Sequence, residues 1–308
     1  MLADWSKVRI AVLGGDDREV IVARTFVELG AHVVTIGLPD GDEMPGAHPV
    51  ANLSEAVAGR DILIGPVQGI DARFTIVARY ALTPLVIDDK VIARIQPGCL
   101  FFVGKAPSLL AEAVARRGVR LVEFRDRDDF AILNSIPTAE GALQLAMNEM
   151  DITIHSCSAW VLGFGRTGQT MVHRLLGMGA RTTVVARQAA DRARALELGC
   201  RSLSFVDFPE GIEQADVVFN TVPEVILTEP VLSRLKRGAV IIDLASAPGG
   251  TDFTAARELG IRALLAPGLP GKVAPRSAGN IVASVLLQLI AEYWPQGGAR
   301  STGGGEDE

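Results

Sequence analysis

The sequence of 308 residues has few aromatic side chains and no long apolar run or clustered basic segment. Aromatic residues make up 5% of the chain and hydrophobic residues 48%, a balance typical of α/β layers rich in Val, Ile, Leu and Ala. The net charge of −6 argues against nucleic-acid binding, because phosphate backbones attract a basic face. The longest apolar stretch, residues 281–290, is too short to span a bilayer, so we expect no membrane segment.

Cysteine is also scarce. Cys99, Cys157 and Cys200 are scattered, odd in number and without CxxC spacing. This pattern predicts reduced thiols in a cytoplasmic protein rather than a disulfide framework. No His, Cys, Asp or Glu cluster has the spacing of metal ligands, so the sequence predicts no metal site.

The most informative segment is 159–168, where an apolar run leads into a G-x-G-x-x-G pattern. Gly163 permits a tight strand-to-helix turn, Gly165 lets the backbone approach a pyrophosphate, and Gly168 lets the helix pack on the strand. The N–H groups at the start of that helix then face the phosphates. We predict a dinucleotide site formed by Gly163, Phe164, Gly165, Arg166, Thr167 and Gly168, with Thr221, Val222 and Pro223 at the end of a later strand.

Arg187 stands at the end of the second strand of this βαβ unit, where an NAD site usually has a carboxylate for the ribose 2′-hydroxyl. A carboxylate repels a 2′-phosphate, whereas a guanidinium can bind it through two charge-assisted hydrogen bonds. The sequence therefore favours NADP(H) over NAD(H). The alternative is that Arg187 only begins a solvated helix.

An internal repeat indicates two α/β domains in tandem, because the segment around Gly14 resembles the segment around Gly163. The first copy has Asp16 and Glu19 at the positions of Gly165 and Gly168, and these acids would repel a phosphate. We therefore predict two doubly wound domains, of which only the second is a Rossmann NADP-binding domain. The expected ranges are 1–135 for a substrate domain completed by a helix at 278–294, 136–277 for the Rossmann domain, and 295–308 for a disordered tail.

Short apolar runs predict buried parallel strands in both domains. In the first domain these runs are 62–64, 85–87 and 100–103, and in the second they are 202–206, 216–221, 240–244 and 262–265. Pro137 near the beginning of an apolar-striped stretch predicts a helix that starts at about Ser135, reaches Met150 and crosses between the domains.

Ligands of open α/β sheets bind at the carboxyl ends of strands, which directs attention to the loops there. The loop 243–252 contains mainly small residues, which would let it lie close to a flat ring of a ligand. Lys272 and Arg276 are cations that could bind a substrate carboxylate or serve as ordinary surface charges. None of the four histidines fits a general base, so no catalytic residue is assigned. We expect the substrate in an interdomain cleft bordered by Ser135, Thr138, Ser246, Gly249, Gly250, Lys272 and Arg276.

These segments together resemble the family of the dipicolinate synthase A subunit of spore-forming bacteria. The resemblance rests on residues 127–129, 134–141, 161–168, 243–246, 248–253 and 263–271. It implies oxidation of dihydrodipicolinate, from the lysine pathway, to pyridine-2,6-dicarboxylate with NADP, in an oligomer with the flavoprotein-like B subunit of the synthase, in the cytoplasm of the mother cell. Ala247 departs from the family, which often carries Arg there, so the resemblance implies that Lys272 or Arg276 binds the carboxylate instead.

Two other functions stay open on the sequence. A 2-hydroxyacid or alanine dehydrogenase-like oxidoreductase shares the two-domain plan, but it normally needs an acid/base such as histidine at a cleft loop. A non-catalytic regulatory protein would hold NADPH and a ligand without turnover.

The assignment of Arg187 predicts a preference for NADP(H). The substitution Arg187→Asp should weaken NADP(H) binding by about 2 kcal/mol or more, because it removes a charge-assisted contact and adds repulsion. Titration of the wild-type and variant proteins with both cofactors measures this effect. Equal affinity of the wild-type protein for NADP(H) and NAD(H) would refute the assignment.

Overall fold

The computed structural model describes residues 4–39 and 43–294, so the predicted tail at 295–308 lies outside the described residues. The chain forms two compact units. Unit 1 holds the described residues up to Phe130 and from Pro275 onward, and unit 2 is Ala131–Ala274. The sequence placed the two junctions slightly later, at 135/136 and 277/278.

The described residues of unit 1 contain eight strands, namely β1 (Arg9–Leu13), β2 (His32–Ile36), β3 (His48–Pro49), β4 (Ile62–Ile64), β5 (Thr75–Ile76), β6 (Leu85–Val86), β7 (Leu100–Val103) and β8 (Arg120–Glu123). Six of them form a parallel sheet in the order β3-β2-β1-β4-β7-β8. Its helices include α1 (Asp17–Glu28), α2 (Leu53–Val57), α3 (Asp89–Arg94), α4 (Ser108–Ala115) and the last helix, α11 (Pro275–Tyr293). Helices α1 and α11 cover one face of the sheet, and α2, α3 and α4 cover the other.

The predicted parallel strand at 85–87 is wrong. Leu85–Val86 pairs antiparallel with β5 in a separate two-stranded ribbon. The side chain of Val86 is 41% exposed, and only Ile87 of this run is fully buried. A run of three apolar residues does not reveal its pairing partner, and Pro84 just before it lacks the N–H that a strand within a sheet would donate.

Unit 2 contains the strands β9 (Ser158–Leu162), β10 (Arg181–Val185), β11 (Arg201–Leu203), β12 (Val217–Asn220), β13 (Val240–Asp243) and β14 (Arg262–Leu265). All are parallel, in the order β11-β10-β9-β12-β13-β14. The prediction of two doubly wound domains is therefore confirmed. The helices are α6 (Arg166–Gly177), α7 (Ala189–Glu197), α8 (Glu229–Leu232), α9 (Phe253–Glu258) and α10 (Leu269–Val273).

The strand predicted at 202–206 begins one residue earlier and ends at Leu203. The next residue, Ser204, starts a turn in which its hydroxyl donates to Asp207 and accepts the N–H of Val206. These local bonds replace the strand pairing that the apolar pattern suggested.

Helix α5 (Asp128–Glu149) carries the chain from unit 1 into unit 2, and it begins well before the predicted start at Ser135. Pro137 lies in its interior, where a proline lacks the N–H that would normally bond four residues back. Two neighbouring hydroxyls bond to backbone oxygens in this stretch: Ser135 donates to Ile132 O and Thr138 donates to Asn134 O. The proline lies inside the helix and does not mark its beginning.

Candidate functional site

The glycine-rich loop between β9 and α6 has the steric features of a phosphate-binding turn. Gly163 has φ +94°, and a Cβ there would lie 2.3 Å from Thr221 Oγ1. A Cβ on Gly168 would lie 2.2 Å from the carbonyl oxygen of Gly163, so helix and loop approach as closely as glycines allow. A Cβ on Gly165 would meet no atom within 4 Å. That open space lies at the first turn of α6, which Gly165 leaves without a side-chain cap.

The corresponding turn of unit 1 is filled by carboxylates. Asp16 caps α1 by accepting the N–H of Arg18, and Glu19 accepts the N–H groups of Asp16 and Val67 at 2.8 and 2.9 Å. The guanidinium of Arg18 is buried and donates twice to Asp16, at 2.9 Å each. Burial raises the pKa of the Glu19 carboxyl to about 7. The backbone N–H groups of Gly15, Asp16 and Arg18, which a phosphate at this turn would need, are therefore already paired within unit 1.

Thr221 joins the end of β12 to the glycine-rich loop. Its backbone N–H and its hydroxyl both donate to Leu162 O, at 2.9 and 2.8 Å. Gly163 in turn donates its N–H to Val185 O at the end of β10. The structure thus brings the residues predicted for the dinucleotide to one edge of the sheet of unit 2: Gly163, Phe164, Gly165, Arg166, Thr167, Gly168, Arg187, Thr221, Val222 and Pro223.

Arg187 is exposed just after β10, at the strand end where the sequence placed it. Arg192, which follows on α7, donates one nitrogen to both Ala186 O and Arg187 O, at 3.0 and 2.7 Å. Arg192 therefore holds the backbone of this segment. The side chain of Arg187 does not make these backbone contacts.

Asp243 organises the next loop along this edge, a role that the sequence analysis missed. Its carboxylate is fully buried and accepts four hydrogen bonds, from Asn220 Nδ2, Ala245 N, Gly250 N and Thr251 Oγ1, at 2.6–3.1 Å. Because all these donors point at one carboxylate, Asp243 fixes the loop 244–251 at the end of β13. The only sequence signal was a charged residue ending an apolar strand.

The loop 244–251 carries three of the residues predicted for the substrate. Gly249 has φ +91° and donates its N–H to Ser246 O, and Ser246 is exposed. A Cβ on Gly250 would lie 2.3 Å from Val222 O, so this loop packs directly on the segment after β12. The peptide bond between Ala247 and Pro248 is cis. Ser246, Gly249 and Gly250 thus lie close to the predicted cofactor residues.

The two hydroxyls predicted from α5 already have partners. Ser135 is buried and lies 2.6 Å from Thr170 Oγ1, which joins α5 to α6. Thr138 is engaged with Asn134 O at 2.8 Å. A ligand of either hydroxyl would therefore have to share it with these groups.

The two predicted carboxylate-binding cations lie in different units. Lys272 is exposed on α10 in unit 2. Arg276 is exposed on α11 in unit 1, where it lines a cavity of about 560 Å³ with Arg24, Glu28 and Asn280. Within unit 1, Arg276 lies beside the last turns of α1 and not beside the carboxylates at its first turn.

The remaining candidates show no further chemistry in the described part of the chain. Cys99, Cys157 and Cys200 are buried free thiols, and burial raises the pKa of Cys99 to about 12. His155 lies at the amino end of β9 beside Gly179, on the edge away from the glycine-rich loop. Residues 4–39 and 43–294 contain no group of three or more His, Cys, Asp or Glu arranged to hold a metal ion. None of the described helices combines the length and apolar character needed to cross a membrane.

Comparison with known proteins finds two family matches along the chain. Residues 9–125 match the N-terminal domain of the dipicolinate synthase A subunit. Residues 138–249 match the NAD-binding domain of D-isomer specific 2-hydroxyacid dehydrogenases, which indicates a nicotinamide cofactor for unit 2.

Similarity also extends over nearly the whole chain. The dipicolinate synthase A subunit of Bacillus subtilis is 37% identical over 292 residues, which cover 94% of this chain and 98% of that protein. The crystal structure of the Bacillus halodurans A subunit superposes with a TM-score of 0.87 at 33% identity, covering 94% of this chain and 99% of that one. The crystal structure of the Bacillus subtilis protein superposes with a TM-score of 0.84 at 38% identity, with coverages of 93% and 96%.

The geometry of the loop predicts that one alanine substitution impairs cofactor binding and another impairs the stability of the protein. Gly165→Ala should weaken binding of NADPH at least about tenfold, because the methyl group fills the space through which a pyrophosphate approaches the backbone. Its melting temperature should stay within about 2 °C of wild type, since the new Cβ meets no atom. Gly168→Ala should instead destabilise the free protein by about 2 kcal/mol, because its Cβ collides with backbone.

Thermal unfolding without ligand and fluorescence titration with NADPH separate the two effects. A Gly165→Ala protein that binds NADPH as tightly as wild type would show that the open space at this turn is not the phosphate site.

Proposed function

The chain belongs to the family of the dipicolinate synthase A subunit, and we propose that it catalyses the NADP-dependent oxidation of dihydrodipicolinate to pyridine-2,6-dicarboxylate. The observation that carries this proposal is the similarity to the A subunit over nearly the whole chain, combined with an open glycine-rich turn in unit 2 only. The dehydrogenase-type domain supports a redox role for that unit. By the same membership we propose that the protein acts in the cytoplasm of the mother cell during spore formation.

The proposed reaction removes two hydrogens from the ring of the substrate. One leaves with its electron pair as a hydride, which the nicotinamide accepts when bound, and the other leaves as a proton, so the products are the aromatic dicarboxylate, NADPH and H⁺. The turn at Gly163, Gly165 and Gly168 holds the pyrophosphate at the start of α6. Thr221, Val222 and Pro223 border the ribose and the nicotinamide.

The choice of NADP rests on Arg187. Arg187 is exposed two residues after the end of β10, and the residues that end that strand include no carboxylate to repel a 2′-phosphate. The backbone contacts of Arg192 hold this segment in place, which supports a fixed position for Arg187 relative to the glycine-rich turn.

Substrate recognition in this proposal depends on the loop fixed by Asp243. Ser246 presents an exposed hydroxyl beside the residues proposed for the nicotinamide ribose, and the buried Gly249 and Gly250 let its loop pack closely against the protein around it. Within unit 2, Lys272 is the proposed cation for a substrate carboxylate, and Ser135 and Thr138 supply further hydrogen bonds. The family's Arg is replaced by Ala247 here, which makes Lys272 the proposed source of the missing positive charge in unit 2.

Among the residues that the structure describes in unit 2, none is assigned as the proton acceptor. Asp243 lies at the right strand end, but its carboxylate is fully buried and already accepts four hydrogen bonds, so it positions the loop. His155 lies at the opposite edge of the sheet. We therefore propose that the flavoprotein-like B subunit of the synthase docks on this chain and completes the acid/base chemistry.

A second candidate function is oxidation of a 2-hydroxyacid, which the dehydrogenase match over residues 138–249 favours. That match covers unit 2 and not unit 1, whereas the similarity to the A subunit covers both. Turnover of lactate or another 2-hydroxyacid, with no turnover of dihydrodipicolinate, would identify this alternative. Binding of NADPH without turnover of either substrate would identify a regulatory protein.

The proposed division of labour predicts that the isolated chain binds NADP(H) but turns over slowly. Addition of the B subunit should raise the rate at least about tenfold, since a positioned acid/base contributes about a hundredfold or more. The assay follows NADPH formation from enzymatically generated dihydrodipicolinate, with heat-denatured B subunit as the control. Full activity of the chain alone, unchanged by the B subunit, would contradict the claim.

A further inference from the structure

One face of the unit 2 sheet changes from apolar to polar along its strands. Side chains in register across β9, β10 and β11 form rows on this face. The row at the carboxyl ends is apolar and consists of Leu162, Val185 and Leu203. The next row toward the amino ends consists of Trp160, Thr183 and Arg201, and the row before that contains Ser158 and Arg181.

A cavity of about 420 Å³ opens at the polar end of this face. It lies at the amino ends of the strands, at the edge opposite the glycine-rich loop, and its size suits a small molecule. The lining includes Ser158, Trp160, Arg181, Thr183, Arg201 and Gln214. Five of these six side chains offer a hydroxyl, a guanidinium or an amide, and the sixth is the indole.

The lining of the cavity includes two arginines that form no direct ion pair among the described residues. Arg181 donates Nε to Ser156 O, and the guanidinium of Arg201 lies 5.9 Å from the centre of the Trp160 ring. Neither arginine forms an ion pair with a carboxylate in the described part of the chain. The carboxylate beside Ser158 is Asp216, which is paired with Lys236 and also interacts electrostatically with Arg181, so one carboxylate faces two cations there and Arg201 adds a third positive charge to the lining.

The indole of Trp160 adds an unpaired donor to this charge. Its side chain is 1% exposed, and its Nε1 has no hydrogen-bond partner among the described residues. Buried donors in native proteins are nearly always paired, so an unpaired one close to the Arg201 guanidinium, in a cavity that Arg181 also lines, indicates a missing acceptor. The acceptor that suits two arginines and an N–H is an oxyanion.

We propose that this cavity is a second binding site of unit 2, for a small oxyanion of the carboxylate or phosphate type held by Arg181, Arg201 and the Trp160 N–H. The anion and the dinucleotide occupy opposite edges of one sheet, so both can be bound at once. The site shares strand β9 with the glycine-rich loop, and it does not rest on the proposed reaction.

Calorimetric titration of the full chain, saturated with NADPH to fill the glycine-rich loop, tests the proposal. The two probes are inorganic phosphate and pyridine-2,6-dicarboxylate. At least one should bind in the millimolar range or tighter, and Arg201→Gln should weaken that binding at least about tenfold. Trp160→Phe keeps an aromatic ring without the N–H and should also weaken it. The matched control is Arg194→Gln, since Arg194 is exposed, paired with Glu197 and outside the lining, and it should bind the probe as wild type does.

The two probes distinguish the source of the oxyanion. If the substitutions weaken binding of the dicarboxylate and phosphate does not bind, the ligand is a carboxylate. If they weaken binding of phosphate and the dicarboxylate does not bind at this cavity, the ligand is a phosphate. If thermal unfolding shows that the Arg201→Gln protein is not folded, Arg181→Gln takes its place, with the same expected loss of affinity for the probe. Absence of binding by both probes, or equal affinity in wild type, Arg201→Gln, Arg181→Gln and Trp160→Phe, would overturn the proposal.

Discussion

The N–H groups at the first turn of a helix need acceptors, and the two units of this chain meet that need in different ways. In unit 1 the side chains of Asp16 and Glu19 supply the oxygens, with Arg18 buried against Asp16. In unit 2 the matching positions are Gly165 and Gly168, which have no side chain to offer. The two units share one sheet topology, but the turn in unit 1 is closed by its own carboxylates and the turn in unit 2 is open to a phosphate.

The open turn is useful only because its surroundings are held in place. Thr221 bonds twice to the residue before Gly163, and Asp243 gathers four donors to hold the loop after β13. Buried carboxylates are costly unless fully hydrogen-bonded, and each bond to Asp243 comes from the loop or from the neighbouring strand. The hydrogen bonds that offset the cost of burying Asp243 therefore also fix the loop after β13 and the end of β12 beside the proposed cofactor site.

The sequence predicted the features that depend on neighbouring residues. Gly168 answers a local steric demand, the close approach of Gly163 O, and the acids at positions 16 and 19 replace two of the fingerprint glycines within one turn. The features it missed depend on contacts between distant segments. The ribbon formed by Leu85–Val86 requires a partner about ten residues earlier in the chain. The tolerance of Pro137 inside α5, and the four partners of Asp243, likewise became visible only in the folded chain.

The central claim is that the dinucleotide binds the glycine-rich turn of unit 2 and not the matching turn of unit 1. Amide hydrogen exchange followed by mass spectrometry, with and without saturating NADPH, tests this claim peptide by peptide. We expect slower exchange at residues 163–169 and 221–222 and no direct protection at residues 14–19. Protection at 14–19 together with unchanged exchange at 163–169 would contradict it.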